Sequence, residues 1–110
     1  MEEVTFLVQG SALEPYEVKF IKDGNKFTAL CTCPAGQNGL HCKHRIGILT
    51  GSTQGIVSDN INQLETVISW LPGSDIEAVL NDVLEAEKVF EESKKILQRL
   101  KKKLARVMHD

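Results

Sequence analysis

The chain has 110 residues, of which 42% are hydrophobic and 25% charged, and its net charge is −2. This is one-domain length and ordinary globular composition, with no global electrostatic case for nucleic acid. No window approaches the apolar run of a membrane span, and the opening Met1-Glu-Glu-Val-Thr5 lacks the basic and apolar regions of a secretory signal, so a cytoplasmic or nuclear setting with reduced thiols is expected.

Taken in order, Val4, Phe6 and Val8 alternate with Thr5, Leu7 and Gln9, which predicts a first strand. Tyr16, Val18 and Phe20 alternate with Glu17 and Lys19 in a second. Asp23-Gly24-Asn25 supplies a tight turn, because glycine and asparagine accept positive φ. Phe27, Ala29 and Cys31 then continue one face of a third strand. The alternation delivers Cys31 to the core side of a small antiparallel sheet.

The stretch Cys31-Thr-Cys33-Pro-Ala-Gly-Gln-Asn-Gly-Leu-His-Cys42-Lys-His44 holds all three cysteines and two of the three histidines. Cys-x-Cys and Cys-x-His flank eight residues that include Pro34, Gly36 and Gly39, which let the chain fold back so that both pairs face one point. A structural zinc site fills a tetrahedron with protein sulfur and nitrogen, and three thiolates plus one imidazole meet that demand. Buried unligated thiols would explain Cys31 but not the whole cluster. A disulfide leaves one thiol over. His41 rivals His44 for the fourth position, although a histidine adjacent to Cys42 would have to strain toward the same ion.

The spacing resembles the SWIM-type zinc finger, whose pattern is Cys-x-Cys, a variable insert and Cys-x-His. Cys31, Cys33, Cys42 and His44 match it, with Lys43 inside the second pair, and the likeness covers about the first half of the chain. The resemblance favours His44 over His41. It implies one structural Zn2+ per chain in a module of a kind found in Mutator-type transposases, Swi/Snf-like ATPases and recombination-associated factors, where it binds DNA or proteins. Only the module is implied, because the chain carries no ATPase or transposase segment.

A short helix is expected from Cys42 to about Thr50, ended by Gly51, with Ile46 and Leu49 facing the sheet. Gly47 inside it suggests a close approach to another backbone. Gly51-Ser-Thr-Gln-Gly55 reads as a linker. Asp59 is a candidate cap for a helix over 59–71 that carries Ile61, Leu64, Val67, Ile68 and Leu71 on one face, with Trp70 packed beside the Pro72-Gly73 stop. Ser74-Asp-Ile-Glu77 is a capping box. Beyond it Ile76, Val83, Phe90, Leu97 and Leu104 recur every seven residues, with Val79, Ala86, Ser93, Leu100 and Val107 three after each. Such a stripe predicts a coiled-coil-like helix roughly 50 Å long. The preceding helix, about 18 Å long, can cover its Ile76–Phe90 end and no more.

Residues 75–92 carry a net −6 and residues 93–106 a net +7. Parallel helices in register would set like charges together, so an antiparallel homodimer crossing near residues 91–93 is expected, with Phe90, Leu97, Leu100, Leu104 and Val107 at the interface. A partner protein is the other occupant. The overall expectation is an α+β chain. A small antiparallel β-sheet and a short helix are built around a zinc site over 1–52, a linker and helix fill 53–73, and the long amphipathic helix occupies 74–110. Four protein ligands leave no open coordination position, so an enzyme and a small-molecule substrate are not expected. An interaction module is the preferred function. Direct nucleic-acid contact through Lys43, Arg45, Lys101, Lys102, Lys103 and Arg106 is the alternative.

Overall fold

A computed structural model describes residues 1–109. Three strands, β1 (Glu2–Val8), β2 (Tyr16–Asp23) and β3 (Lys26–Cys31), form an antiparallel sheet in the order β1-β2-β3. The register sets Val4 opposite Phe20, Phe6 opposite Val18, and Val18 opposite Cys31, so one face collects every large apolar side chain of the alternation. Phe6, Val18 and Phe20 are wholly buried there. Phe6, Phe20, Phe27 and Trp70 form a chain of rings with successive centroids 6.2, 6.1 and 6.2 Å apart. Pairs of this kind contribute about 0.5–1.5 kcal/mol each beyond their buried area. Trp70 therefore packs as expected beside its turn. The β2–β3 hairpin differs in one detail: only Gly24 takes positive φ, at 61°, and Asn25 does not. That is the signature of a turn needing glycine at its first central position alone.

Four helices follow: α1 (Pro34–Gln37), α2 (Lys43–Leu49), α3 (Leu64–Ser69) and α4 (Asp75–His109). Helix α2 ends as expected at Gly51, whose φ is 94°. The Gly51 N–H donates to Ile48 O at 3.0 Å and the Ser52 N–H to Gly47 O at 2.8 Å, the paired bonds of a Schellman motif. Its buried residues are Ile48 and Leu49, while Ile46 is only half-buried. No backbone crowds Gly47, for a methyl there would meet nothing nearer than Ser52 Cβ at 3.8 Å.

The segment read as a linker is strapped along the outer edge of β1. The Gln9 N–H donates to Gly55 O at 2.7 Å and the Val57 N–H to Leu7 O at 2.8 Å, with Val8 bridging Ile56. Asn60 Nδ2 adds a 2.7 Å bond to Thr5 O. These bonds satisfy an edge that the alternation of β1 could not reveal. One compact unit consequently runs from Met1 to Ala78, past the boundary expected near residue 52, and a second begins at Val79 within α4. The helix expected over 59–71 opens instead with a 3-10 turn at Ile61–Gln63, and neither Asp59 nor Asn60 supplies a side-chain cap bond; the Asn60 Nδ2 bond to Thr5 O holds its side chain toward β1. Val67 is its buried residue, with Leu64, Ile68 and Leu71 half-buried and Ile61 exposed.

The capping box forms at Ser74, whose Oγ accepts the Glu77 N–H at 3.2 Å, while Glu77 Oε1 accepts from the Gly73 N–H rather than that of Ser74. Helix α4 then runs 35 residues, about 52 Å. It buries Leu80, outside the heptad stripe, with Ile76 and Val83 half-buried. Every described residue from Leu84 onward is exposed, Phe90 included.

An alanine at position 47 would meet open space in a helix interior. Gly47→Ala is therefore expected to stabilise the zinc-loaded protein by up to about 1 kcal/mol. Thermal melting should show the midpoint rising; a fall would mean that this backbone needs glycine after all.

Candidate metal centre

The inward alternation of β3 turns the Cys31 side chain to the core. Pairing with β2 then continues for one residue: the Thr32 N–H donates to Glu17 O at 3.0 Å, and the Glu17 N–H donates to Thr32 Oγ1 at 2.9 Å. This fixes the exit of the strand and brings Cys33 round as the N-cap of α1, with Pro34 in the first helical position, where a missing N–H costs nothing. The single turn of α1 folds tightly over the strand end. A Cβ on Gly36 would stand 2.4 Å from Cys31 O and 2.9 Å from Cys31 Cβ, so only glycine permits the approach. Gly39, with φ of 70°, reverses the chain toward Cys42, the N-cap of α2, and His44 follows inside that helix.

The sulfurs of Cys31, Cys33 and Cys42 and a ring nitrogen of His44 lie within 4.8 Å of one another. Cys33 Sγ is 3.4 Å from Cys42 Sγ, and His44 Nδ1 is 3.8 Å from Cys31 Sγ and 3.7 Å from Cys42 Sγ. A tetrahedral zinc with ordinary bond lengths separates its sulfurs by about 3.8 Å, and sulfur from nitrogen by about 3.6 Å. These three separations are close to that size, and no pair in the cluster is more than 4.8 Å apart. A disulfide would need sulfurs about 2.05 Å apart, and all three cysteines are free. The donor set and spacing therefore fit one Zn2+ per chain, held by Cys31, Cys33, Cys42 and His44 through Nδ1. His41 is exposed and stands outside the cluster.

Backbone donors accompany the sulfurs. The Cys33 N–H donates to Cys31 Sγ at 3.5 Å and the Gly36 N–H to Cys33 Sγ at 3.3 Å. The Arg45 N–H is turned toward Cys42 Sγ too loosely for a full cap bond. Burial opposes ionisation of Cys42, but that N–H and the Cys33, His44 and Cys31 side chains outweigh it and pull the thiol down to about 6. Burial also leads at Cys31, where the neighbouring cysteines add to it and push the thiol up to about 12 against the Cys33 N–H. Without metal the sulfurs cannot all carry charge, since each thiolate disfavours the next.

Several contributors carried no sequence signal for this role. Tyr16 packs on the His44 ring, with centroids 5.2 Å apart. Gly10 lets the β1–β2 loop cross both, since its Cβ would stand 2.5 Å from Tyr16 Cε2 and 3.5 Å from His44 Nε2. Arg45, a candidate nucleic-acid contact, is half-buried and spends its guanidinium internally. Nη1 donates to Ala29 O at 3.1 Å and Nη2 to Leu40 O at 2.7 Å, tying β3 to the loop that carries Cys42. Lys43 is exposed, whereas Lys101, Lys102, Lys103 and Arg106 are exposed on α4, in the second unit.

Zinc content measured by elemental analysis should separate these roles. His44→Ala and Gly36→Ala are expected to lose metal, the latter through its backbone clash, while His41→Ala keeps one equivalent. Protons compete for the same sulfurs, and Cys31 holds its proton at neutral pH in the metal-free state. Uptake should therefore release protons, and affinity should fall as pH falls, as a zinc indicator titration would read.

Residues 16–50, which include all four ligands, Arg45 and Tyr16, match the family model of the SWIM zinc finger. No curated protein and no solved structure matches the chain. The matched segment begins at β2 and ends at the C-cap of α2, so β1, the strap on its edge, α3 and α4 lie outside it. Over those 35 of 110 residues, the chain carries the Cys3His arrangement of a SWIM zinc finger.

Proposed function

We propose that the chain is a zinc-stabilised interaction module, with a structural rather than catalytic metal centre and protein–protein association through α4. One observation carries the reading. Phe90, Leu97, Leu100, Leu104 and Val107 form a continuous stripe, and each is 52–66% exposed. A lone exposed leucine is unremarkable, but a periodic row of them on one helix marks a surface that another chain covers.

The metal supports this role by ordering the sheet unit. Zinc-linked folding is worth about 10–16 kcal/mol in finger peptides, as much as the whole stability of many domains. Four protein ligands fill the tetrahedron, and among the described residues no carboxylate lines the cleft beside it, so neither a metal-bound water nor an acidic general base is provided for. Three unpaired cysteines suit a reducing cytoplasm or nucleus. Among the described residues, no helix is long and apolar enough to cross a membrane.

The exposed block Lys101, Lys102, Lys103 and Arg106, with Lys43 on the finger, favours a second reading as a direct nucleic-acid binder. Steeply salt-dependent DNA affinity, weakened by Lys101→Glu with Lys103→Glu, would place that reading first.

Native mass spectrometry should find one zinc per chain. Trp70 is the single tryptophan, is buried, and lies outside the ligand loop, so it reports on the whole sheet unit. Strong chelation is expected to shift its emission to the red; an unchanged spectrum with zinc gone would refute metal-dependent order. Leu97→Glu with Leu100→Glu should weaken association on the order of a hundredfold while leaving Trp70 emission intact.

A further inference from the structure

Apolar character says that α4 is covered; its flanking charges narrow down by what. We infer that α4 pairs antiparallel with α4 of a second copy of this chain, in the register that sets Val79 against Leu104 of that copy. The inference rests on reading α4 as the association surface. In this register Val83 faces Leu100, Ala86 faces Leu97 and Phe90 faces Ser93 of the second copy, and the two-fold axis repeats each contact in reverse. Every stripe residue from Val79 to Leu104 gains a partner. Ser93, the one polar residue of the stripe, meets Phe90, its largest, so small opposes large at the centre.

The flanks decide between orientations. Antiparallel pairing brings Asp82 beside Lys103 and Glu87 beside Lys94 of the second copy, each twice, and sets Val89 against Ile96. These charges are free for such a role: among the described residues the one ion pair is Glu3 with Lys19, on the sheet. Sliding the register one heptad in one direction opposes Glu87 to Glu87, and in the other Lys94 to Lys94. A parallel pair in register would instead set Asp82 against Glu87 twice and bury Val89 and Ile96 against lysines. Ile76, half-buried, faces Val107 of the second copy at each end, while Leu80, already buried, lies outside the shared core.

Sedimentation equilibrium on the full zinc-loaded chain tests this. Wild type is expected to be a dimer at micromolar concentration. Asp82→Lys should weaken it about tenfold by replacing attraction with repulsion at two symmetry-related sites, and adding Lys103→Glu to the same chain should restore it. A dimer tightened by Asp82→Lys would be parallel and would overturn the inference while leaving α4 as the interface. A dimer that survives Leu97→Glu with Leu100→Glu would overturn the α4 reading itself. A wild-type monomer would exclude the second copy as the occupant.

Discussion

Three sulfurs and a ring nitrogen held within one coordination sphere form the constraint on which the sheet unit depends. The protein solves the geometry with backbone: the inward face of β3, a single helical turn over it, and the N-cap of α2. It does not solve the charge. Cys42 ionises readily and Cys31 resists, chiefly because burial disfavours the charged form of Cys31 and, after that, because the neighbouring cysteines add to it. A divalent ion removes that conflict, so the same contacts that strain the metal-free cluster become the ligand shell of the loaded one.

The surroundings of the cluster follow from the same requirement. The Arg45 guanidinium fork spans Ala29 O and Leu40 O, across the segment that carries the ligand pairs. Arg45 thus ties the strand that carries Cys31 to the loop that leads to Cys42. An arginine so committed is a poor phosphate contact. Any nucleic-acid affinity would have to come from Lys43 and the basic half of α4, which weakens the case for the finger itself as a reader of phosphate.

The four ligands, three strands and long helix were legible in the sequence because each follows from period or spacing that depends on near neighbours. Val4, Phe6 and Val8 show a strand without reference to anything else. What stayed hidden depends on distant partners. Gly51–Gly55 has the composition of a linker, and only the unpaired edge of β1, over forty residues away, makes it a strap. Asp59 and Asn60 are both good caps by type, yet neither caps, and the Asn60 side chain is held against β1 by its Nδ2 bond to Thr5 O. Gly36 and Gly47 look alike in sequence, but one touches the Cys31 carbonyl and the other touches almost nothing. Leu80 lies outside the heptad stripe, so the period pointed away from the one residue of α4 that is buried.

The separation of charge along α4 admits an explanation within one chain, since acids favour a helix start and bases its end. That effect fades within the first and last turns. It accounts for Asp75, Glu77 and Arg106 and is indifferent to Glu87 and Lys94, which sit near the middle of 35 residues. Nor does it place Asp82, Glu87, Lys94 and Lys103 directly beside the apolar stripe rather than on the opposite face. Residues at those flanks matter when another helix lies across the stripe, and there their signs decide its direction. The macrodipole therefore explains the ends of α4, while the charges flanking the stripe along its middle are those that the proposed antiparallel pairing would use.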